Sequence, residues 1–269
     1  MATIARTITR GLRQPAGCEL LEFGSTGAVF AFLNDPKTVA KLPFEADEYI
    51  ARLNQEKCIL TRLRADEDDG HPHVVRCVRM EEDDRGGRII LERATHGALR
   101  VYFHKEEGRQ ATMAERVRWC HQVASAVVYM HSKGVVQGDL GGRNILLRED
   151  RTVCLCDFAG SGIDGIRPEV WAQSGFRHPM EELQGTVQGE LHALGSTIYE
   201  IVTSTCPHWE EEKAEVDKGW GEGKADELMR SGKYPYITGI LLGDVIAKCW
   251  AGEFTTSQSV LEAIDQEVF

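Results

Sequence analysis

The sequence predicts an α+β fold with a small β-rich lobe carrying one helix, followed by a larger and mainly helical lobe. Three observations support this. Apolar residues alternate in short runs over the first third of the chain. A single helical period interrupts those runs at residues 46–64. After Gly97 the period becomes helical and stays so, apart from two short strands near the middle. The expected organisation is one domain over 1–269, with a first lobe over 1–93 and a second over 94–269.

In chain order, residues 19–33 and 38–42 read as strands broken at Asn34-Asp35-Pro36, a sequence suited to a turn. Residues 73–82 and 88–93 read as two more strands, joined through Asp84-Arg85-Gly86-Gly87. Thr112 and Glu115 have the spacing of a capping box. Behind them Val117, Cys120, Ala124, Val127 and His131 form the stripe of a core-packed helix. Residues 144–147 and 152–156 are short strands, and 190–203 and 241–250 are helices.

Composition narrows the function. The 269 residues carry a formal charge of −11, which argues against a nucleic-acid face, since phosphate contacts require clustered Lys and Arg. Acidic runs at 66–69, 81–84 and 210–212 read as solvated loops or helix ends. No stretch of eighteen apolar residues occurs, so no membrane-spanning helix is expected. The eight cysteines include no CxxC pair, and reduced thiols in a cytoplasmic protein are the expectation. Residues 1–13 hold three arginines and no acid, which suits either a mitochondrial presequence or the lead-in to a first strand.

The chemistry-bearing segment is Gln137-Gly138-Asp139-Leu140-Gly141-Gly142-Arg143-Asn144. A carboxylate and a carboxamide five residues apart, in a glycine-rich stretch entering a strand, can converge on one point. Asp157 ends the apolar run 153–156 and begins another glycine-rich stretch. Such groups suit phosphoryl transfer, in which a carboxylate orients a hydroxyl and hard oxygens hold magnesium. Two Asx turns flanking a hairpin would look the same. Upstream, Gly24-Ser25-Thr26-Gly27-Ala28-Val29 is a turn whose N–H groups can cover phosphate oxygens. Lys41 closes a strand. Glu56 shares a helix face with Leu53, Leu60 and Leu63, and a carboxylate there requires a cation, for which Lys41 is the candidate.

In this order and spacing the chain resembles the eukaryotic protein kinase family from about Glu19 to Glu262. Gly24 to Val29 is similar to the glycine-rich loop, Lys41 to the strand lysine and Glu56 to its helix partner. His71-Pro72-His73-Val74-Val75 is similar to the turn after that helix. Leu91, before Glu92, falls at the gatekeeper. Asp139 resembles the catalytic-loop Asp, while Asn144 and Asp157 resemble the two magnesium ligands. Glu190-Leu191-His192-Ala193-Leu194-Gly195 and Lys248-Cys249-Trp250 are similar to later family motifs.

The resemblance implies a bilobal kinase-like fold, ATP and Mg2+ as cofactors, and a protein substrate carrying a Ser/Thr or Tyr hydroxyl. It implies Asp139, Lys41 and Glu56 as catalytic residues. Nucleotide contacts would come from Gly24, Gly27, Val29, Ala40, Lys41, Leu91, Glu92 and Leu146, and metal contacts from Asn144 and Asp157.

The departures concern regulation and support. Glu22 replaces the first loop glycine. Gln137-Gly138 replaces His-Arg, making this a non-RD sequence without an arginine for an activation-loop phosphate. Asp157-Phe158-Ala159-Gly160 replaces D-F-G, a variant that resembles a divergent, fungal-type branch. His178-Pro179-Met180 replaces A-P-E with no arginine evident to pair there, and Glu190 replaces an Asp. Arg143 and Gly141 are tyrosine-kinase-like, yet residues 157–180 contain no tyrosine. A small-molecule phosphotransferase shares the G-D-x-x-x-x-N pattern, and a pseudokinase scaffold is a further alternative. His71, His73 and Cys77 could suggest a metal, but turn capping and packing explain them. Cys154 and Cys156 share a strand face and are not a disulfide pair. Trp119, Trp171, Trp220 and Trp250 read as core or groove residues.

Overall fold

The computed structural model describes residues 14–64, 70–83, 85–217 and 223–268. The N-terminal segment 1–13, the acidic run 66–69, Asp84 and Trp220 lie outside them. The chain divides into two compact units. The first contains the chain up to Ala94 together with Asp157–Gly160, and the second contains Thr95–Cys156 and the chain from Ser161 onward.

The first unit is a five-stranded antiparallel sheet of β1 (Cys18–Phe23), β2 (Gly27–Phe32), β3 (Asp35–Pro43), β4 (Cys77–Glu81) and β5 (Arg88–Glu92), ordered β1-β2-β3-β5-β4. Helix α1 (Asp47–Arg64) follows β3. The β1–β2 turn closes where the Gly24 N–H donates to the Gly27 carbonyl at 2.8 Å. Gly27 is required by close approach, because a Cβ there would lie 2.0 Å from the Leu42 carbonyl oxygen.

In this unit two element starts differ by more than one residue from the sequence expectation. Strand β3 begins at Asp35, inside the expected turn. Pro36 is tolerated because pairing with β5 starts only at Thr38, and the Asp35 carboxylate accepts from the Lys37 N–H and the Thr38 hydroxyl. Strand β4 begins at Cys77 rather than 73. The preceding residues form a turn in which His71 Nδ1 accepts from the His73 N–H at 3.2 Å and the His71 carbonyl from the Val74 N–H at 3.1 Å.

In the second unit, β6 (Gly97–Ala98), β8 (Ile145–Leu147) and β9 (Val153–Leu155) form one sheet. Strands β7 (Val135–Val136) and β10 (Gly162–Ile163) form a separate pair. The helices are α2 (Leu99–Phe103), α3 (Glu106–Arg109), α4 (Met113–Ser132), α5 (Val187–Thr203), α6 (Trp209–Asp217), α7 (Lys224–Arg230), α8 (Gly243–Ala251) and α9 (Ser257–Val268). The capping box at Thr112 and Glu115 opens α4 in both directions. Cys120, Ala124 and Val127 on its stripe are fully buried. The Gln122 amide oxygen accepts from the Val153 N–H at 3.0 Å, and Trp119 Nε1 donates to the Arg151 carbonyl at 2.9 Å, so the β8–β9 hairpin is fixed to α4.

Helix α5 is buried on nearly every side. Gly195 is needed where α8 crosses, since a Cβ would lie 2.5 Å from the Cys249 Cβ. Trp250 Nε1 donates to Ser196 Oγ at 2.9 Å. Trp119 and Trp250 are core residues, while Trp171, 54% exposed, lines a groove with Arg177, His178 and Pro179. Among the described residues, no helix is long and apolar enough to cross a membrane, and no disulfide links any of the eight cysteines.

One buried and one half-buried histidine set an acid limit on stability. Burial pushes His192, on α5, down from an ordinary value of 6.5 to about 4. It lowers His71 equally. Each is neutral when folded, so between these values the unfolded chain binds more protons. Their contribution is complete above pH 6.5 and is lost as pH falls towards 4. Urea midpoints measured across that window should fall with acidification, and should fall less steeply in His192→Gln. An equal slope in the two proteins would remove His192 from the account.

Candidate active site

In the first unit, Lys41 lies on β3 in register with Val29 on β2 and Ile89 on β5. Its side chain is 12% exposed, and that of Glu56 on α1 is 1% exposed. Lys41 Nζ stands 2.6 Å from Glu56 Oε2 and 2.7 Å from Asp157 Oδ1. The other Glu56 oxygen accepts the Phe158 N–H at 3.3 Å. One buried carboxylate therefore binds both the strand lysine and the backbone just beyond Asp157.

Burial opposes the charge on Lys41, but the carboxylates of Glu56 and Asp157 outweigh it and raise its pKa. Burial also raises Glu56, with Lys41 pulling the other way. Asp157 adopts a left-handed backbone, φ 59°, which Asp tolerates better than most residues and which is a form of strain that collects at working sites. Phe158 is fully buried.

Other expected nucleotide contacts in this unit are Gly24 and Gly27 at the β1–β2 turn, Val29, Ala40, and Leu91 with Glu92 at the end of β5. Ala40 is fully buried and Leu91 is buried. The Glu92 carboxylate turns onto the approach to β4, where it accepts the Arg76 N–H at 2.9 Å.

In the second unit, the loop before β8 brings Asp139, Arg143 and Asn144 together. Asn144 Nδ2 donates to the Asp139 carbonyl at 2.8 Å and to Asp139 Oδ2 at 2.9 Å. Arg143 Nη2 donates to Asp139 Oδ1. With its amide hydrogens turned to Asp139, Asn144 presents Oδ1 as an oxygen donor. Within the first unit, the side chain of Asp157 is 43% exposed and offers a hard oxygen group of its own. No cluster of three or more His, Cys, Asp or Glu exists among the described residues that could hold a metal ion. Isolated oxygen donors of this kind suit a magnesium ion that keeps waters and phosphate oxygens in its shell. Leu146, the remaining expected contact, pairs with Cys154 and Ala98 across the β6–β8–β9 sheet.

One support of this loop, Glu190, stands where the resemblance put the helix-anchoring acid, and two others, Gln137 and Glu200, were not identified from the sequence. Gln137, counted there as a lost histidine, is fully buried. Its Oε1 accepts the Asp139 N–H at 3.1 Å, its Nε2 donates to the Cys156 carbonyl at 3.2 Å, and its own carbonyl accepts from Ser161 Oγ at 2.9 Å. Glu200 on α5 accepts the Gly142 N–H at 2.8 Å and forms a two-pronged ion pair with Arg100. Gly142 is glycine because a Cβ would lie 2.6 Å from that carboxylate. Glu190 accepts the Gly138 N–H at 2.9 Å and stands 2.6 Å from His131 Nε2. A buried acid ten residues beyond Glu190 was the available signal, since such a group requires a partner.

The missing supports have substitutes. Gly138, where the family keeps arginine, has φ 82°, and a Cβ there would lie 2.4 Å from the Pro168 Cβ. Near the His178-Pro179-Met180 segment an ion pair exists with the polarity reversed. Arg177 Nη1 stands 3.0 Å from Asp226 Oδ2 on α7, and Asp226 Oδ1 accepts the Gly175 N–H at 2.8 Å. Burial raises the Asp226 pKa.

Comparisons with known proteins point to protein kinases. Residues 45–164 match the family described as protein tyrosine and serine/threonine kinase. Serine/threonine/tyrosine-protein kinase HT1 of Arabidopsis thaliana is 24% identical over 243 residues, covering 85% of this chain and 60% of the relative. Serine/threonine-protein kinase kin-29 of Caenorhabditis briggsae is 28% identical over 214 residues, 75% of this chain and 24% of the relative. NUAK family SNF1-like kinase 1 of Homo sapiens is 27% identical over 179 residues, 64% of this chain and 26% of the relative. The chain thus spans less than two thirds of the length of each.

Restoring the missing arginine should fail. In Gly138→Arg the side chain meets Pro168 and the backbone holds a left-handed angle, together costing roughly 2–4 kcal/mol. A urea titration should show a lowered midpoint, with no phosphate-dependent activity gained. An unchanged midpoint would mean that Pro168 yields freely.

Proposed function

We propose that the chain is a protein kinase, as its likeness to kinases over residues 45–164 and to kinase relatives supports, and that it transfers the γ-phosphoryl of ATP to a hydroxyl of a protein substrate. The observation that carries this reading is the buried Lys41–Glu56 pair, at 2.6 Å, with Asp157 on the same ammonium. A lysine fixed in this way presents a positioned cation to the α/β-phosphates. Asp139 orients the acceptor hydroxyl and takes its proton, with Arg143 and Asn144 holding its carboxylate in place. The Gly24–Gly27 turn covers phosphate oxygens. Val29, Ala40 and Leu146 enclose the adenine, with Leu91 at the gatekeeper and Glu92 beside it. Asn144 and Asp157 hold magnesium, which when bound neutralises charge on the phosphates.

The Gln137-Gly138 and Asp157-Phe158-Ala159-Gly160 variants favour a divergent, non-RD branch. Free thiols support a reducing, cytoplasmic setting. Gln137, Gly138 and Ala159 also favour the second reading, an ATP-binding or partner-binding pseudokinase. The complete set of Lys41, Glu56, Asp139, Asn144 and Asp157 favours the active enzyme.

The test measures magnesium-dependent ATP stabilisation and radiolabel transfer. The wild type should be stabilised by Mg-ATP and should label itself or a generic protein. Lys41→Ala should lose most of the stabilisation, and Asp157→Asn should lose its dependence on magnesium. Binding with no transfer would favour the pseudokinase; failure of the wild type to bind Mg-ATP would sink both. Phospho-amino-acid analysis of the product distinguishes Ser/Thr from Tyr.

A further inference from the structure

Glu56 has a neighbour on α1 that its own role leaves unexplained. Lys57 is a lysine with only 8% of its side chain exposed. Its Nζ donates to both oxygens of Glu82, at 2.7 Å each, and to the Gly86 carbonyl at 2.8 Å. An ammonium has three N–H bonds, and here three acceptors match them. All belong to the turn between β4 and β5, the segment that the sequence marked only as a strand connection.

That turn is shaped to lie against the helix. The Asp83 carboxylate accepts the N–H groups of Arg85 and Gly87, both at 2.8 Å. Gly86 has φ 92°, and a Cβ on it would lie 2.7 Å from Ile50 Cγ2 on α1. Position 86 therefore has no room for a side chain, and its carbonyl is brought within reach of Lys57.

We infer that Lys57, through Glu82 and Gly86, is a positioning residue that sets α1 in the rotation at which Glu56 meets Lys41. Successive residues on an α-helix point about 100° apart. Glu56 is held by β3 on one side, and Lys57 is held by the β4–β5 turn on another. Two adjacent residues fixed in two directions leave the helix little freedom to roll or slide. A buried ammonium without its acceptors is strongly disfavoured, which makes the second anchor specific rather than incidental. The functional consequence rests on reading Lys41 and Glu56 as the nucleotide grip; the geometric consequence does not.

The experiment is a double-mutant cycle on the full chain with Lys57→Met, Glu56→Gln and the pair together. It reads Mg-ATP affinity and hydrogen exchange of the α1 peptide and of the peptide holding the Phe158 amide. Lys57→Met should weaken Mg-ATP binding about tenfold, and the double variant should be no weaker than Glu56→Gln alone, because the two residues act through one contact. Exchange should quicken in α1 and at Phe158, whose N–H donates to Glu56. Glu82→Gln, a change at an exposed side chain, should move both readouts in the same direction by less, and it serves if Lys57→Met does not fold. Additive losses in the double variant, or unchanged exchange in the single ones, would overturn the inference. If the wild type does not bind Mg-ATP, the kinase reading fails, and the exchange measurements alone decide whether Lys57 positions α1.

Discussion

The first unit depends on one ion pair that burial makes expensive. Glu56 is almost wholly excluded from solvent and Lys41 nearly so. Removing either partner from such a pair commonly costs about 3–5 kcal/mol, because the other charge is left unpaired. The pair persists because independent elements converge on it. The registers of β2 and β5 fix Lys41 from both sides. The apolar face of α1, with Leu53, Leu60 and Leu63 buried, turns Glu56 inward. The Phe158 N–H satisfies the second carboxylate oxygen. The same pair therefore fixes the backbone just after Asp157, so one interaction sets the lysine and steadies the acid.

The second unit solves a similar problem with backbone donors. Its loop is held by two buried carboxylates from a single helix, Glu190 accepting from the Gly138 N–H and Glu200 from the Gly142 N–H. Each has a cationic or hydrogen-bonding partner beyond, His131 for Glu190 and Arg100 for Glu200. The loop glycines follow from this arrangement. At 142 a carboxylate occupies the space of a Cβ, and at 138 a proline does. They are therefore steric requirements as well as points of backbone freedom.

What the sequence revealed depended on the range over which each signal acts. The α1 stripe and the capping box at Thr112 are local patterns, and the structure shows both. Glu56 stood out because a carboxylate on an apolar stripe contradicts its surroundings. Lys57 did not, since lysine beside a stripe ordinarily reaches water and its partner Glu82 lies 25 residues away across a turn. Arg100 and Glu200 are 100 residues apart, so no spacing rule joins them. Gln137 was read as an absence because a histidine was expected, yet its amide can donate and accept at once, and it does both. The start of β4 was placed four residues early because His73 to Arg76 continue an apolar pattern while their hydrogen bonds form a turn.

Between Asp157 and Met180 the chain makes its own set of packing contacts and ion pairs. A phosphate clamp works by bringing a charge to a loop that is otherwise loose. Here Pro168 packs over Gly138, Arg177 pairs with Asp226, and the Asp226 carboxylate also takes the Gly175 N–H. The hydroxyl side chains between 157 and 180 are Ser161 and Ser174, and both are buried. Ser161 donates to the Gln137 carbonyl and Ser174 to Glu212. Every one of these groups is present as soon as the chain is made. The segment is thus held by contacts among unmodified side chains and backbone groups.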